Sequence, residues 1–285
     1  MAWPANNKYA TVRAWLIQLL TDLPDERERD NIARELMTFR TRKSRAQLMI
    51  EPHPFTESDL NFFVASAERL VKHVPLQHIT NQAFFFGRPF YIDGRVLVPR
   101  PETEELVELA LSEFHASENI RVLDIGTGSG VIPISIKLER PLWEVHAWEI
   151  SKEAIDVASQ NAQDLSADIA IAEVDVLSND LPKGTFDLII SNPPYIPESE
   201  RAIMDQRVTD HDPSLALFVE DTEPLIFYQR IAGYAEKHLT ASGKLLFEIH
   251  EEFGKEMQEL LASKFRTELY QDAQGKDRIL KAERK

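Results

Sequence analysis

Apolar residues recur at helical spacing through roughly the first quarter of the chain, and from Ile120 onward they gather into short runs separated by helical stretches. Tyr9, Val12, Trp15, Leu16, Leu19 and Leu20 predict a first helix that Asp22 and Pro24 end. Ile32, Leu36 and Met37 mark a second. A short helix from Ser44 to Ile50 precedes a loop at Pro52 and Pro54. Thr56 then opens a helix carrying Leu60, Phe63, Val64, Ala67 and Leu70, with Asp59 as its capping partner in place of the usual Glu or Gln. Residues 1–76 are thus expected to form a small helical domain. It carries no constellation of His or carboxylates that suggests chemistry, so partner binding is its expected role and folding support the alternative.

Residues 77–100 are expected to hold a β-hairpin linker, since aromatic runs flank Gly87-Arg88. Three successive phenylalanines, Phe84 to Phe86, cannot share one face of a strand, so only part of the run can be core. Arg100-Pro101-Glu102-Thr103 opens a helix through Leu106, Leu109 and Leu111, with Pro101 suited to its first turn. Arg100 and Glu102 are either a surface ion pair or part of a site lining.

Beyond residue 101 the pattern alternates. Strands are expected at Ile120–Leu123, Val145–Trp148, Ile169–Val174, Phe186–Ile190, Lys244–Ile249, Phe265–Tyr270 and Arg278–Ala282, the last two as an antiparallel pair. Helices are expected through Ile132, Ile134 and Ile136, over Leu225–Leu239 and over Glu251–Lys264. Such alternation predicts an α/β domain over 101–285, built on a doubly wound, mostly parallel sheet. In that architecture ligands bind at the C-terminal ends of the strands, because helices cover both faces.

The strand ends carry the candidate chemistry. Asp124-Ile125-Gly126-Thr127-Gly128-Ser129-Gly130 follows the first strand as a glycine turn in which a ligand can approach backbone N–H groups. The third glycine of a dinucleotide fingerprint is missing at Val131, which lowers that reading. Glu149 ends the second strand about 20 residues on, where an acidic group can accept ribose hydroxyl protons. Asp175 and the Val176 N–H, at the end of the third, can read an adenine's amino group and ring nitrogen. The fourth strand stops at Asn192-Pro193-Pro194-Tyr195. An Asn-Pro turn with a tyrosine closing the core is the plain reading of that tetrad. Its chemistry also suits a planar amino group: the Asn192 amide and a proline carbonyl accept two hydrogens while the Tyr195 ring packs on the plane.

Composition narrows the classes. The 285 residues suit two domains, and 43% hydrophobic with 28% charged residues describes an ordinary globular protein. No apolar run approaches a membrane span and no basic-then-apolar leader is evident, so a cytoplasmic location without membrane contact is expected. The absence of cysteine excludes disulfides, thiolate chemistry and Cys-based zinc. No metal is expected in the mechanism. A formal net charge of −15 argues against broad electrostatic capture of nucleic acid and favours a protein partner, with a basic one the better fit.

Asp124 to Gly130, Glu149, Asp175 and Asn192 to Tyr195 resemble the motifs of class I S-adenosylmethionine-dependent methyltransferases. Together with Arg100-Pro101-Glu102-Thr103-Glu104-Glu105-Leu106 and the helical N-terminal domain, the chain is similar to the HemK/PrmC family, N5-glutamine methyltransferases of peptide-chain release factors. The resemblance runs through nearly the whole chain and is weakest over the first 70 residues. It implies a seven-stranded Rossmann-like sheet and S-adenosylmethionine, left as S-adenosylhomocysteine. The methionyl end would lie against Asp124, Gly126, Thr127, Gly128, Ser129 and Gly130, the ribose on Glu149, and the adenine near Asp175 and Val176, with Asn192 bordering the cofactor. It implies catalysis by Asn192, Pro193 and Tyr195, and substrate binding by these residues with Pro194, Arg100 and Glu102. The implied partner is a class I release factor, methylated on the glutamine of its Gly-Gly-Gln motif. Methylation of a ribosomal protein's glutamine and of adenine N6 or guanine N2 in nucleic acid remain alternatives; Pro101-Glu102-Thr103 favours the release factor. Glu149 stands where Asp is commoner in the family and His250 where glycine is frequent, and the turn usual after Asp212-Pro213 lacks its glycines. His211 and Asp212 are either ordinary loop residues or part of a loop over the substrate.

Overall fold

The computed structural model describes residues 3–50, 55–204 and 206–285. The loop expected at Pro52 and Pro54 lies outside the described residues. The chain forms two compact units, Met1–Asn81 with Gln206–His211, and Gln82–Asp205 with Asp212–Lys285.

The smaller unit contains α1 (Tyr9–Leu19), α2 (Glu26–Thr41), α3 (Arg45–Ile50), α4 (Glu57–Leu70) and α5 (Leu76–Thr80). Its core joins Val12, Leu16, Leu36, Met37, Leu48 and Phe63, the apolar stripe expected of each helix. The expected cap is present: the Asp59 N–H donates to Thr56 Oγ1 at 3.2 Å and the Thr56 N–H to Asp59 Oδ2 at 2.9 Å. A remote segment joins this unit, where Arg207 pairs with Glu28 and His211 Nε2 meets the Lys72 carbonyl at 3.1 Å.

The larger unit opens with the hairpin β1 (Ala83–Phe85) and β2 (Arg88–Phe90). Phe85 and Phe90 enter the core of this unit while Phe84 is 70% exposed. After α6 (Glu102–Ser112) come β3 (Arg121–Ile125), α7 (Val131–Glu139), β4 (Glu144–Glu149), α8 (Lys152–Asp164), β5 (Ala170–Glu173) and β6 (Phe186–Ser191). Short elements follow: β7 (Ile196–Pro197), α9 (Gln206–Thr209, in the helical unit), α10 (Ser214–Leu217) and β8 (Phe218–Val219), with β7 paired to β8. The chain ends with α11 (Ile226–His238), β9 (Leu239–Glu248), α12 (Gly254–Leu261), β10 (Phe265–Gln271) and β11 (Asp277–Arg284).

Seven strands form one sheet in the order β10-β11-β9-β6-β3-β4-β5. Only β11 runs against the rest, pairing antiparallel with both β9 and β10. Side chains alternate across this sheet as its pleat requires. Val122, Leu188, Ile190 and Leu246 meet the isoleucines of α7 on one face. Leu123, Ile125, Ile189, Leu245 and Phe247 meet Tyr228 and Ile231 of α11 on the other. Both faces are therefore covered and the strand ends carry the accessible chemistry. From β3 the chain runs outward to β4 and β5 and then crosses back to β6 on the other side of β3, so the crevice lies above β3 and β6. Among the described residues no helix is long and apolar enough to cross a membrane.

Candidate active site

The two strand ends at the crevice are tied together. The fully buried Ser191 hydroxyl donates to the Ile125 carbonyl at 2.6 Å, which sets the Asn192 loop beside the glycine turn. The turn is itself anchored to β4: the Gly126 and Thr127 N–H groups share the Trp148 carbonyl at 2.9 and 3.1 Å. Gly128 donates to Glu149 Oε2 at 2.8 Å, and the other oxygen of Glu149 accepts from the Ile150 and Ser151 N–H groups. Glu149 is thereby fixed by three backbone donors. Its position is a property of the backbone rather than of a side-chain rotamer.

Two glycines of the turn differ physically. Gly128 has φ +53° and a Cβ there would meet nothing within 4 Å, whereas at Gly130 (φ +81°) it would lie 2.9 Å from Ile134 Cδ1 and 3.2 Å from Ala158 Cβ. Gly130 lets α7 and α8 close together behind the turn. Gly130→Ala is expected to lower stability by about 2–4 kcal/mol, against about 1 kcal/mol for Gly128→Ala, in urea unfolding. Equal losses would contradict this division.

Asp124 shares the Val122 face of β3 and is fully buried. Neither of its oxygens, nor the Thr127 hydroxyl oxygen, has a bonded partner among the described residues. Burial pushes its carboxyl up to about 7, against the pull of the neighbouring Thr127 hydroxyl and with a further push from the Glu149 charge. A buried acceptor set of this kind is complementary to a cation.

A cavity of about 270 Å³ opens over these strand ends. Gly126, Thr127, Gly128, Ser129, Glu149, Asp175, Val176, Asn192, Pro193 and Pro194 line it. Asp124 lies beneath the turn and Gly130 behind it, so neither reaches the lining. Asp175 Oδ1 accepts from the Leu177 N–H at 2.9 Å, and the Val176 carbonyl from Arg230 Nε at 3.0 Å, which fixes the rim. A second cavity of about 200 Å³ is lined by Arg100, Glu102, Tyr195, Glu248 and Arg278 among others. Asn192, Pro193, Arg100, Leu97 and Ala216 border both. Among the described residues no ion pair joins Arg100 to Glu102, and both line the second cavity. His211 and Asp212 line neither; Pro213 and Ala216, a few residues on, do.

Three polar residues escaped the motif reading: Glu248 in the lining of the second cavity, Thr103 in that of the first, and Arg278 in that of the second. Glu248 Oε2 accepts from the Thr103 hydroxyl at 2.7 Å, and its Oε1 from the Tyr195 hydroxyl at 3.4 Å. Asn192 Nδ2 donates to Thr103 Oγ1 at 3.3 Å. Burial raises the Glu248 carboxyl above its ordinary value, opposed by the Thr103 bond, the Arg278 charge and the Tyr195 hydroxyl. Burial likewise raises the Tyr195 phenol, with the Glu248 charge adding to it. The third residue is Arg278, whose guanidinium is held by Asp272 at 3.1 Å. A signal existed at Glu248: a carboxylate ending the apolar run Leu245-Leu246-Phe247 is rarely buried without a task. His250 meets the Tyr195 ring edge-on with centroids 6.0 Å apart.

The sheet order, the glycine turn on its first strand and the cavity at its switch point define an S-adenosylmethionine-dependent methyltransferase. Residues 105–211 match the family model described as methyltransferase small domain, and residues 11–80 match the PrmC N-terminal domain. Release factor glutamine methyltransferases are similar over most of the chain. That of Flavobacterium psychrophilum is 36% identical over 94% of this chain and 96% of its own, and that of Bacteroides thetaiotaomicron 45% identical over 76% and 78%. The chain belongs to the release factor glutamine methyltransferase family. Solved structures with the same sheet include a methyltransferase from Pyrococcus furiosus, with TM-score 0.51 and 18% identity over 70% of this chain and 89% of that one. The human methyltransferase 10 domain containing protein gives TM-score 0.51 and 17% identity over the same shares. At these identities they speak for the fold alone.

Proposed function

We propose that the protein transfers a methyl group to the side-chain amide nitrogen of a glutamine in class I peptide-chain release factors, within their Gly-Gly-Gln motif. The observation that carries this reading is the meeting of two cavities at Asn192 and Pro193, one beside the glycine turn and one beside Tyr195. A donor molecule and an acceptor side chain can then face each other across a single amide.

The residues present fit the cofactor. S-adenosylmethionine, when bound, supplies an electrophilic sulfonium methyl and leaves as S-adenosylhomocysteine. The Thr127 hydroxyl, which lines the cavity, faces the cationic methionyl end with the buried Asp124 charge behind it, and Glu149 retains one lone pair, on Oε2, for a ribose hydroxyl. Asp175 and the Val176 backbone border the adenine end.

Glutamine's nitrogen is a weak nucleophile because its lone pair is delocalised into the carbonyl, so orientation supplies most of the catalysis. Asn192 Oδ1 and the Pro193 carbonyl accept the two N–H bonds and hold the nitrogen in line with the methyl. As the new N–C bond forms, positive charge grows on that nitrogen and both acceptors bind it more strongly, which favours the transition state over the ground state. With the cofactor bound, its methyl would pass from sulfur to this nitrogen, and one amide proton would leave to water. Tyr195 packs against the glutamine stem. Arg100 and Glu102 line the same cavity as Tyr195, where they would meet the polar backbone around the glutamine. The net charge of −15, which lies outside residues 1–81, suits a basic protein partner, and docking is assigned to the helical unit because it carries no cluster of catalytic side chains.

Isotope-labelled S-adenosylmethionine offered with a purified class I release factor, and separately with ribosomal protein, tRNA or duplex DNA, tests the reading. Label is expected in the release factor alone. Label entering nucleic acid in preference would reverse the assignment.

The pairing at Asp124 adds a pH dependence. The Asp124 anion favours cofactor binding from behind the turn, and its proton is held up to about 7 in the cofactor-free protein. Affinity is therefore expected to rise about fivefold from pH 6 to pH 8 in calorimetry, with protons released on binding at the acid end. An affinity flat across that range would remove Asp124 from the binding account.

A further inference from the structure

We infer that Thr103 and Glu248 are positioning residues that set which way the Asn192 carboxamide faces; the inference rests on the proposed transfer to an amide nitrogen. As a carboxylate Glu248 has only acceptors to offer, and its Oε2 takes the single hydroxyl proton of Thr103 at 2.7 Å. With that proton committed, Thr103 Oγ1 can only accept from Asn192, and it does so from Nδ2 at 3.3 Å. Turning the Asn192 amide over would press its oxygen against the Thr103 oxygen with no hydrogen between them. The chain Glu248, Thr103, Asn192 therefore has one polarity, and it leaves Asn192 Oδ1 as the atom turned away from Thr103.

That polarity decides the kind of substrate the tetrad can hold. An acceptor at Oδ1 takes a hydrogen from an –NH2 group, whereas the reversed amide would present donors and repel it. The other oxygen of Glu248 accepts from the Tyr195 hydroxyl at 3.4 Å, so one buried carboxylate braces both ends of the tetrad. The brace reaches across the fold, from the first turn of α6 to the end of β9, two segments 145 residues apart in sequence. Neither residue needs to touch the reacting atoms; each acts through Asn192.

The test compares Thr103→Val, which keeps the shape but lacks the hydroxyl, with Thr103→Ser, which keeps the hydroxyl. Transfer to the release factor is measured at saturation alongside the calorimetric Kd for S-adenosylmethionine. Thr103→Val is expected to lower kcat about tenfold, the weight of one oriented hydrogen bond, with the cofactor Kd and the KM for the factor within about threefold of the parent. Thr103→Ser is expected to restore kcat to within about threefold. Undiminished kcat in Thr103→Val, or a fall in cofactor binding that parallels the fall in kcat, or failure of serine to restore the rate, overturns the inference. If the unsubstituted enzyme transfers nothing to an amide, the functional reading fails and takes the inference with it. Transfer by the parent with no loss in Thr103→Val sinks the inference alone.

Discussion

Asn192→Ala is expected to lower kcat by roughly 10²–10³-fold while the Kd for S-adenosylmethionine stays within about threefold. The size follows from removing one preorganised partner of the charge that develops in the transition state, an effect worth about 2.7–4 kcal/mol at comparable sites. Selectivity for kcat follows from position. Asn192 borders the cofactor cavity with one edge, but the turn, Glu149 and the Asp175 rim supply most of that lining. The loop itself is held by the Ser191 bond to Ile125 and by two prolines, none of which the substitution touches. Steady-state kinetics with a release factor, paired with calorimetry on the cofactor, separates the two quantities. A variant that keeps its rate would remove the tetrad from catalysis, and one that loses both rate and cofactor would make Asn192 a cofactor ligand first.

Asp124→Asn is expected to move stability and cofactor affinity in opposite directions. In the folded protein the Asp124 carboxyl keeps its proton up to about 7, whereas the unfolded value is 3.8. The folded state thus binds more protons than the unfolded one between those limits. Stability of the cofactor-free protein accordingly falls as pH rises from about 4 to 7 and levels off above, by roughly 4 kcal/mol in all. Asparagine carries no charge and recovers part of this, about 2 kcal/mol, which raises the cofactor-free melting midpoint by roughly 4–8 °C at pH 7.5. The same change removes a buried negative charge behind the turn, and affinity for a cationic ligand is expected to fall by about tenfold, since attraction through the turn and no direct contact is lost. It should also flatten the rise in affinity between pH 6 and 8. A less stable variant with unchanged affinity would contradict the assignment of this buried charge to the cofactor.

The parts of the fold that were legible in the sequence are those governed by local rules. Helical spacing in Val12, Leu16 and Leu36, the Thr56–Asp59 cap and the apolar runs at β3, β4, β6 and β9 each depend on neighbours a few residues away. The site was legible where it sits at strand ends, since the position of Gly126, Glu149, Asp175 and Asn192 follows once the strands are parallel. Contacts between distant segments were not legible. Thr103 was read only as part of a helix start, and Glu248 only as the end of a strand, because nothing local says that their side chains meet. The segment carrying Arg207 and His211 joins the helical unit, although its neighbours on either side belong to the sheet unit. His211 was considered for a loop over the substrate; its ring instead meets the Lys72 carbonyl. The depth of Asp124 beneath the turn was equally hidden, for a motif gives spacing along the chain and not which atoms reach the cavity.

The most direct measurement is tandem mass spectrometry of a class I release factor incubated with this protein and S-adenosylmethionine. The expected result is a single added methyl on one glutamine side chain, within the Gly-Gly-Gln segment, absent when Asn192→Ala replaces the parent enzyme. A methyl on any other residue type, or an unmodified factor beside a methylated nucleic acid, would contradict the claim that this pocket grips a carboxamide.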